Sequence, residues 1–373
     1  MSNSWDREQP SPRPSEPRIT DPAPGGLHFG IGTFAFQYED PSGAPVPGAQ
    51  VVRDVVEEAV AAESVGLDSF GIAEHYRRGM MDSAGPVILG AIASRTETLR
   101  LGTAVTVLST QDPVRVYNEF ATLDAVSSGR AQMIVGRGSA IESFPLFGYD
   151  LADYEDLFDE KLDLLMRLLR DQPVTWSGRF RTALVEQVLE PQVAAGAIPV
   201  WAGVGGSPQS VVRAARFGLP LMFGIIGGSL SRFAGLSRLY REAAAEFGQV
   251  EQPIGMHAHG YIADTDQEAE ERFWPVWSGV MNAEAPKRGW ATYRRDRFDA
   301  EVAAGSLLVG SAETVAQRIA AGMQMIGASR FDFVAAASHM PHRDKKESIE
   351  RFGTDVVPRV RALIMQPAEK AAR

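Results

Sequence analysis

Cysteine is absent from all 373 residues, which excludes disulfides, thiolate metal sites and cysteine nucleophiles. A cysteine-free chain fits a reducing cytoplasm. Long apolar runs are missing too, and none approaches the roughly 20 residues needed to cross a bilayer. There is no block of Lys and Arg, and 37 basic residues face 47 acidic ones, for a net charge of −10. Neither nucleic acid nor an anionic membrane is an expected partner. The first 26 residues, MSNSWDREQPSPRPSEPRITDPAPGG, carry six prolines and almost nothing apolar. They lack the apolar centre of a signal peptide and read as a disordered tail, leaving 27–373 as a single domain with ample length for a core. The expectation is a soluble, acidic, cytoplasmic protein.

What the chain does have is a regular alternation of short apolar runs and longer helical patterns. Strand candidates begin near Leu27, Asp68, Thr98, Arg130, Ile198, Leu219, Pro253 and Arg330. Helix signals fill the gaps. Asp112 and Pro113 open DPVRVYNEFATLDAVSSG as N-cap and first position, Gly129 follows its end, and Gly66 closes an earlier helix. Alternation of this kind implies a parallel sheet with right-handed crossovers. Eight units suit an α/β fold of the (β/α)8 TIM-barrel type, whose usual length of about 250 residues leaves room for an insertion. A doubly wound open sheet is the rival. The extra length lies near residues 282–307, too long and polar for a simple connector, and is a candidate lid.

In a barrel the polar tails of the strands converge on one rim, where active sites sit. Small residues recur in those tails, in GIGT, GTAV, GRGS, GVGGS and GIIGG, so a flat or phosphorylated ligand can lie against the backbone. In GVGGSPQSVVRAA, Gly205 and Gly206 leave a strand, Ser207 caps a helix and Pro208 opens it. The free N–H groups there form an anion site to which Ser207 and Ser210 add hydroxyls. The stretch FGIAEHYRRGM passes from buried strand to charge, delivering Glu74, His75 and Tyr76 together. His75 is the acid–base candidate, with Glu74 as the group that would fix its tautomer. His257 and His259 form H-x-H on one strand face, and with Asp332, His339 and His342 they allow a metal-dependent hydrolase to be imagined, although no further cluster completes a metal set. A G-x-S-x-G nucleophile elbow is not found.

Several segments in order resemble the bacterial luciferase-like monooxygenase family. They are GLDSFGIAEHYRRG, TETLRLGTAVTVLSTQDPVRVYNEFATLDAVSSGRAQMIVGRGS, FPLFGYDLADYEDLFDEKLDLL and ARFGLPLMFGIIGG. The resemblance implies a (β/α)8 barrel that binds reduced FMN, reacts it with O2 and oxidises a small organic substrate. It makes His75 the proton-handling residue, with Tyr76 in place of a second histidine on the substrate side. It puts Ala104 and Val105 beneath the flavin ring, joined by a non-prolyl cis bond, and Arg137, Gly138 and Ser139 along its edge. Ser207 and Ser210 match phosphate-contacting positions. A family glutamate is Gly206 here and a phosphate arginine is Glu155, so the phosphate would rest on N–H groups and hydroxyls. From the rim segments, Phe34, Gly205 and Ile225 join these as cofactor contacts, and Trp290 and Tyr293 are candidate lid contacts to substrate. A separate flavin reductase and a homodimer are the implied partners. The alternatives are a deazaflavin-dependent hydride-transfer enzyme, the metal hydrolase, and a non-catalytic flavin-binding protein.

Overall fold

A computed structural model describes residues 26–138, 141–194, 196–335 and 340–365. The proline-rich tail, Ser139 and His339 lie outside the described residues. In chain order the strands are β1 His28–Thr33, β2 Ser69–Ile72, β3 Arg100–Val107, β4 Ala131–Gly136, β5 Val174–Trp176, β6 Leu184–Gln187, β7 Val200–Val204, β8 Leu221–Ile225, β9 Ile254–Ala263, β10 Leu308–Ser311 and β11 Arg330–Ala335. Eight of them close a parallel barrel. β1 through β4 pair in sequence, then β7, β8, β9 and β11 follow, and β11 returns to β1. These are the eight expected strands, and closure rules out the open-sheet rival. β5 and β6 form a small hairpin outside the barrel.

The helices are α1 Gly48–Ser64, α2 Gly85–Ala93, α3 Pro113–Val126, α4 Ser143–Phe147, α5 Tyr154–Arg170, α6 Pro208–Arg216, α7 Leu230–Glu246, α8 Asp266–Arg288, α9 Arg295–Ala303, α10 Ala312–Ile326, α11 His342–Arg351 and α12 Val357–Met365. Their ends follow local chemistry. The Asp112 carboxylate accepts from the N–H groups of Val114 and Arg115 at 2.9 and 3.3 Å, capping α3. Gly66 adopts φ +73° just past α1, where a side chain would be strained. None of the described helices is long and apolar enough to cross a membrane.

Strand side chains alternate between the helical shell and the barrel interior. On β11, Phe331 and Phe333 face the shell, packing near Phe352, while Arg330 and Asp332 face inward. Arg330 makes a two-pronged contact with Asp332 at 3.0 and 2.8 Å and also donates to Gln132 at 3.0 Å and Ser69 at 3.3 Å. Its guanidinium lies 4.9 Å from the centre of the Trp201 ring. This layer plugs the barrel below its mouth, with charge, hydrogen bonds and an aromatic face compensating each other. Gly30 is required beside it, since a β-carbon there would come within 2.1 Å of Ser69 Oγ.

The insertion at 282–307 is largely helical. α8 continues to Arg288 and α9 occupies much of the rest. α8 contains Pro275 and Pro286, residues that ordinarily interrupt a helix. The inserted helices carry their own apolar cluster, including Phe273, Trp277, Tyr293, Phe298 and Val302, and rest on Tyr261 of an unusually long β9. The short β10 pairs with that extension of β9.

Asp332→Ala strands the buried Arg330 charge. Unfolding free energy from urea titration is expected to fall by about 3–5 kcal/mol, and a loss under about 1 kcal/mol would mean the plug carries little.

Candidate functional site

The C-terminal strand ends enclose a cavity of about 470 Å³. Its floor is apolar: Ile134 and Met222 meet Ala104 and Val105, and the Ala104–Val105 peptide is cis. Two glycines make room for Val105, because a β-carbon on Gly136 or Gly203 would sit 2.9 or 2.7 Å from its methyls. β8 follows the two-residue period. Met222, Gly224 and Ile226 face the cavity, whereas Ile225 is fully buried against the helical shell. The contact expected of Ile225 therefore belongs to its neighbour, and simple alternation from Met222 would have found it.

One wall carries the residues expected to handle protons. β2 ends at Ile72, and the next residues place Glu74 and His75 on the cavity, with the Phe34 ring centred 5.3 Å from that of His75. His75 Nδ1 lies 3.0 Å from Asp82 Oδ2, and Asp82 is fully buried. Glu74 does not orient His75. Its Oε2 accepts from the Val107 N–H at 2.9 Å, and its Oε1 accepts from Tyr76 OH at 2.7 Å and Gln111 Nε2 at 2.9 Å. Glu74 is thus a clamp on the end of β3. Burial pushes its carboxyl above the usual range, against the pull of those donors. Burial, and then the charge of Glu74, holds the Tyr76 phenol well above its ordinary value. Tyr76 packs edge-on against Phe147 at 4.8 Å and is turned away from the cavity wall.

The opposite end holds the turn expected to seat an anion. Gly205 and Gly206 border the cavity where β7 passes to α6, and Gly206 has φ +113°. Ser207 Oγ accepts from the Ser210 N–H at 3.4 Å as N-cap of α6. Two arginines approach this turn. Arg137 donates to Ser210 Oγ at 2.8 Å, lies over the Tyr154 ring and is ion-paired with Glu155. Glu155 also pairs with Arg213 at 2.6 Å. Arg232 of α7 reaches across to donate to Gly206 O at 2.9 Å, and no ion pair ties it to a carboxylate among the described residues. A guanidinium thus stands at this turn although Glu155 occupies the position where the resemblance places an arginine. Arg137 and Gly138 line the cavity as expected.

Neither proposed lid residue lines the cavity. Tyr293 is locked inside the insertion, accepting from Trp277 Nε1 at 3.0 Å and donating to Glu301. Trp290 lies at the exposed end of α8 and is 40% accessible. The histidines imagined as metal ligands are dispersed. His257 faces the cavity, Asp332 is committed to Arg330, and His342 pairs with Glu58 at 3.5 Å. Among the described residues no group of three or more His, Cys, Asp or Glu is placed to hold a metal.

Asp82, Arg232 and Tyr154 belong to this site without having been singled out in the sequence, whereas His257, at a strand expected to reach the rim, does line the cavity. His257 had a signal in its inward strand position, whereas Asp82 and Arg232 reach the site through loop and helix geometry with no local motif.

Burial depresses His257 to about 4, with Asp332 opposing and Arg330 assisting, and His259 to about 3, with His257 assisting. The unfolded chain protonates its histidines near 6.5, so it binds more protons as pH falls below that value. Stability is therefore lost between roughly pH 6.5 and 4, by on the order of 3 kcal/mol per histidine. His259→Phe is expected to flatten the decline in urea midpoint between pH 7 and 5. An unchanged decline would remove His259 as its source.

The sequence profile of the luciferase-like monooxygenase family matches residues 27–330. A 4-hydroxyprotoasukamycin monooxygenase from Streptomyces nodosus subsp. asukaensis is 29% identical over 247 residues, 63% of this chain and 66% of that protein. An F420-dependent glucose-6-phosphate dehydrogenase from Amycolatopsis mediterranei is 26% identical over 336 residues, 83% of this chain and 95% of that protein. Among solved structures, the oxygenating constituent of 3,6-diketocamphane monooxygenase from Pseudomonas putida, in complex with FMN, superposes with a TM-score of 0.69. It is 21% identical, covering 90% of this chain and 99% of that one, a likeness of fold.

Proposed function

The chain belongs to the luciferase-like monooxygenase family, and from that premise we propose that it uses reduced FMN and O2 to oxidise a small organic substrate. The observation that carries the proposal is the polarity of the cavity along its length. An anion seat with two arginines lies at one end, an apolar floor follows, and a histidine stands on the far wall. Those residues fit FMN: the α6 N–H groups, Ser207, Ser210, Arg137 and Arg232 suit a phosphate dianion, and Ala104, Val105, Ile134 and Met222 suit a flat ring. Once bound, reduced flavin would supply the electrons that activate oxygen.

The rest is the work of this chain. The floor and Phe34 keep water from the ring face. Arg137 and Arg232 would hold the charged end of such a cofactor and so orient it along the cavity. His75 moves a proton through Nε2, the nitrogen that Asp82 leaves uncommitted. The proposal includes a separate flavin reductase, because the sequence carries no nicotinamide fingerprint, and a homodimer in a cytoplasmic setting. The competing reading is hydride transfer with a deazaflavin, in keeping with the F420-dependent relative.

Anaerobic titration with reduced FMN, FMN, riboflavin and a deazaflavin separates these readings. FMN is expected to bind more tightly than riboflavin. Arg232→Gln should weaken FMN by roughly 10-fold or more, the value of one charge-assisted hydrogen bond, while riboflavin changes less than about 2-fold. Deazaflavin binding without reduced-FMN binding would move the protein to hydride transfer.

His75→Ala should leave reduced-FMN affinity within a few fold and slow product formation by about 10²-fold. Unchanged turnover would take His75 out of the chemistry.

A further inference from the structure

A fully buried carboxylate with one described partner is costly to keep, because its second oxygen has been taken out of water without a replacement donor. Asp82 is such a group. Oδ2 faces His75 Nδ1 at 3.0 Å, and Oδ1 has no hydrogen-bond partner among the described residues. Its placement is built by the chain around it. After His75 the backbone turns through Gly79, at φ +82°, and folds back against the segment that follows β1. Met80 forms an antiparallel bridge with Phe36, Gln37 N–H donates to Gly79 O at 2.8 Å, and Met81 N–H donates to Ala35 O at 2.8 Å. These bonds fix the residue immediately before Asp82, so the carboxylate is aimed by backbone pairing rather than by a mobile loop.

We propose that Asp82 is a positioning residue, holding His75 as its Nδ1–H tautomer so that the bare Nε2 is presented to the cavity. The physical reason is that an ionised carboxylate only accepts hydrogen bonds, so the nitrogen facing it must carry the proton. The other nitrogen of a neutral ring is then a base with no described protein partner. Phe34 restrains the ring from one side, and His75 keeps 14% of its side-chain surface open. Glu74 cannot substitute, since all three of its bonds go to Val107, Tyr76 and Gln111. The dyad therefore spans seven positions of chain and joins two residues that sequence adjacency does not pair.

The inference rests on the flavin reading only for its catalytic consequence. The tautomer itself is a property of the protein without cofactor. The test is ¹⁵N-resolved NMR of protein labelled at histidine, with His75 assigned through a His75→Gln variant. The native protein is expected to show His75 protonated at Nδ1 and bare at Nε2. In Asp82→Asn the side-chain amide can donate to Nδ1 and reverse the tautomer. The same variant should keep FMN affinity within about 3-fold and keep KM near native, while kcat falls by about 10²-fold. A native His75 protonated at Nε2, or a tautomer indifferent to Asp82→Asn in a folded variant, overturns the proposal. If Asp82→Asn does not fold, the native tautomer alone decides. If the native protein binds no flavin while the tautomer result stands, it is the flavin reading that fails and not the dyad.

Discussion

The two-residue alternation of parallel strands, closed into a ring, is the constraint on which the rest of this protein depends. It sorts each strand into a face for the helices and a face for the interior. Because all eight strands run the same way, their polar continuations collect at one mouth. Phe34, His75, Val105, Arg137, Ser207, Ile226 and His257 come from seven different strand ends and still border one cavity. Below them, the Arg330 and Asp332 pair with Gln132 and Ser69 fills the interior, so the mouth is a pocket and not a channel.

The charges at the two ends of that pocket are arranged differently. At the anion seat, Arg137 is already matched by Glu155, and Glu155 is shared with Arg213. Among the described residues Arg232 carries no such match, so in the proposed reading it is the cation more available to an incoming phosphate. At the proton-handling end, two neighbouring carboxylates take separate tasks. Glu74 accepts three hydrogen bonds and secures the end of β3, while Asp82 keeps a single partner among the described residues and faces the imidazole. Adjacency in sequence suggests the opposite assignment for Glu74. The strand explains why it fails: consecutive residues leave β2 in different directions.

Much of the fold was legible because it is repetitive. The barrel strands are apolar runs with glycine or polar residues at their ends, and several helices have a readable cap or closing glycine, as Asp112 does for α3 and Gly66 for α1. The insertion was harder. α8 passes through Pro275 and Pro286, and Phe273 stacks on both Tyr261 and Trp277 to anchor it. At the site, residues carried directly on strand ends were readable, whereas those brought in by loop or helix were not. Asp82 depends on the bridge between Met80 and Phe36, and Arg232 depends on how α7 lies beside α6. The choice of Ile225 over Ile226 was an error of one residue, which in a strand is an error of face.

The central claim is that the barrel mouth receives FMN with its phosphate at the start of α6 and its ring on the Ala104 and Val105 floor. A crystal structure of the protein saturated with FMN tests it most directly. The account predicts phosphate density in contact with Ser207 and Arg232 and ring density between Val105 and His75. FMN bound elsewhere, or a mouth left empty at saturating FMN, would contradict it.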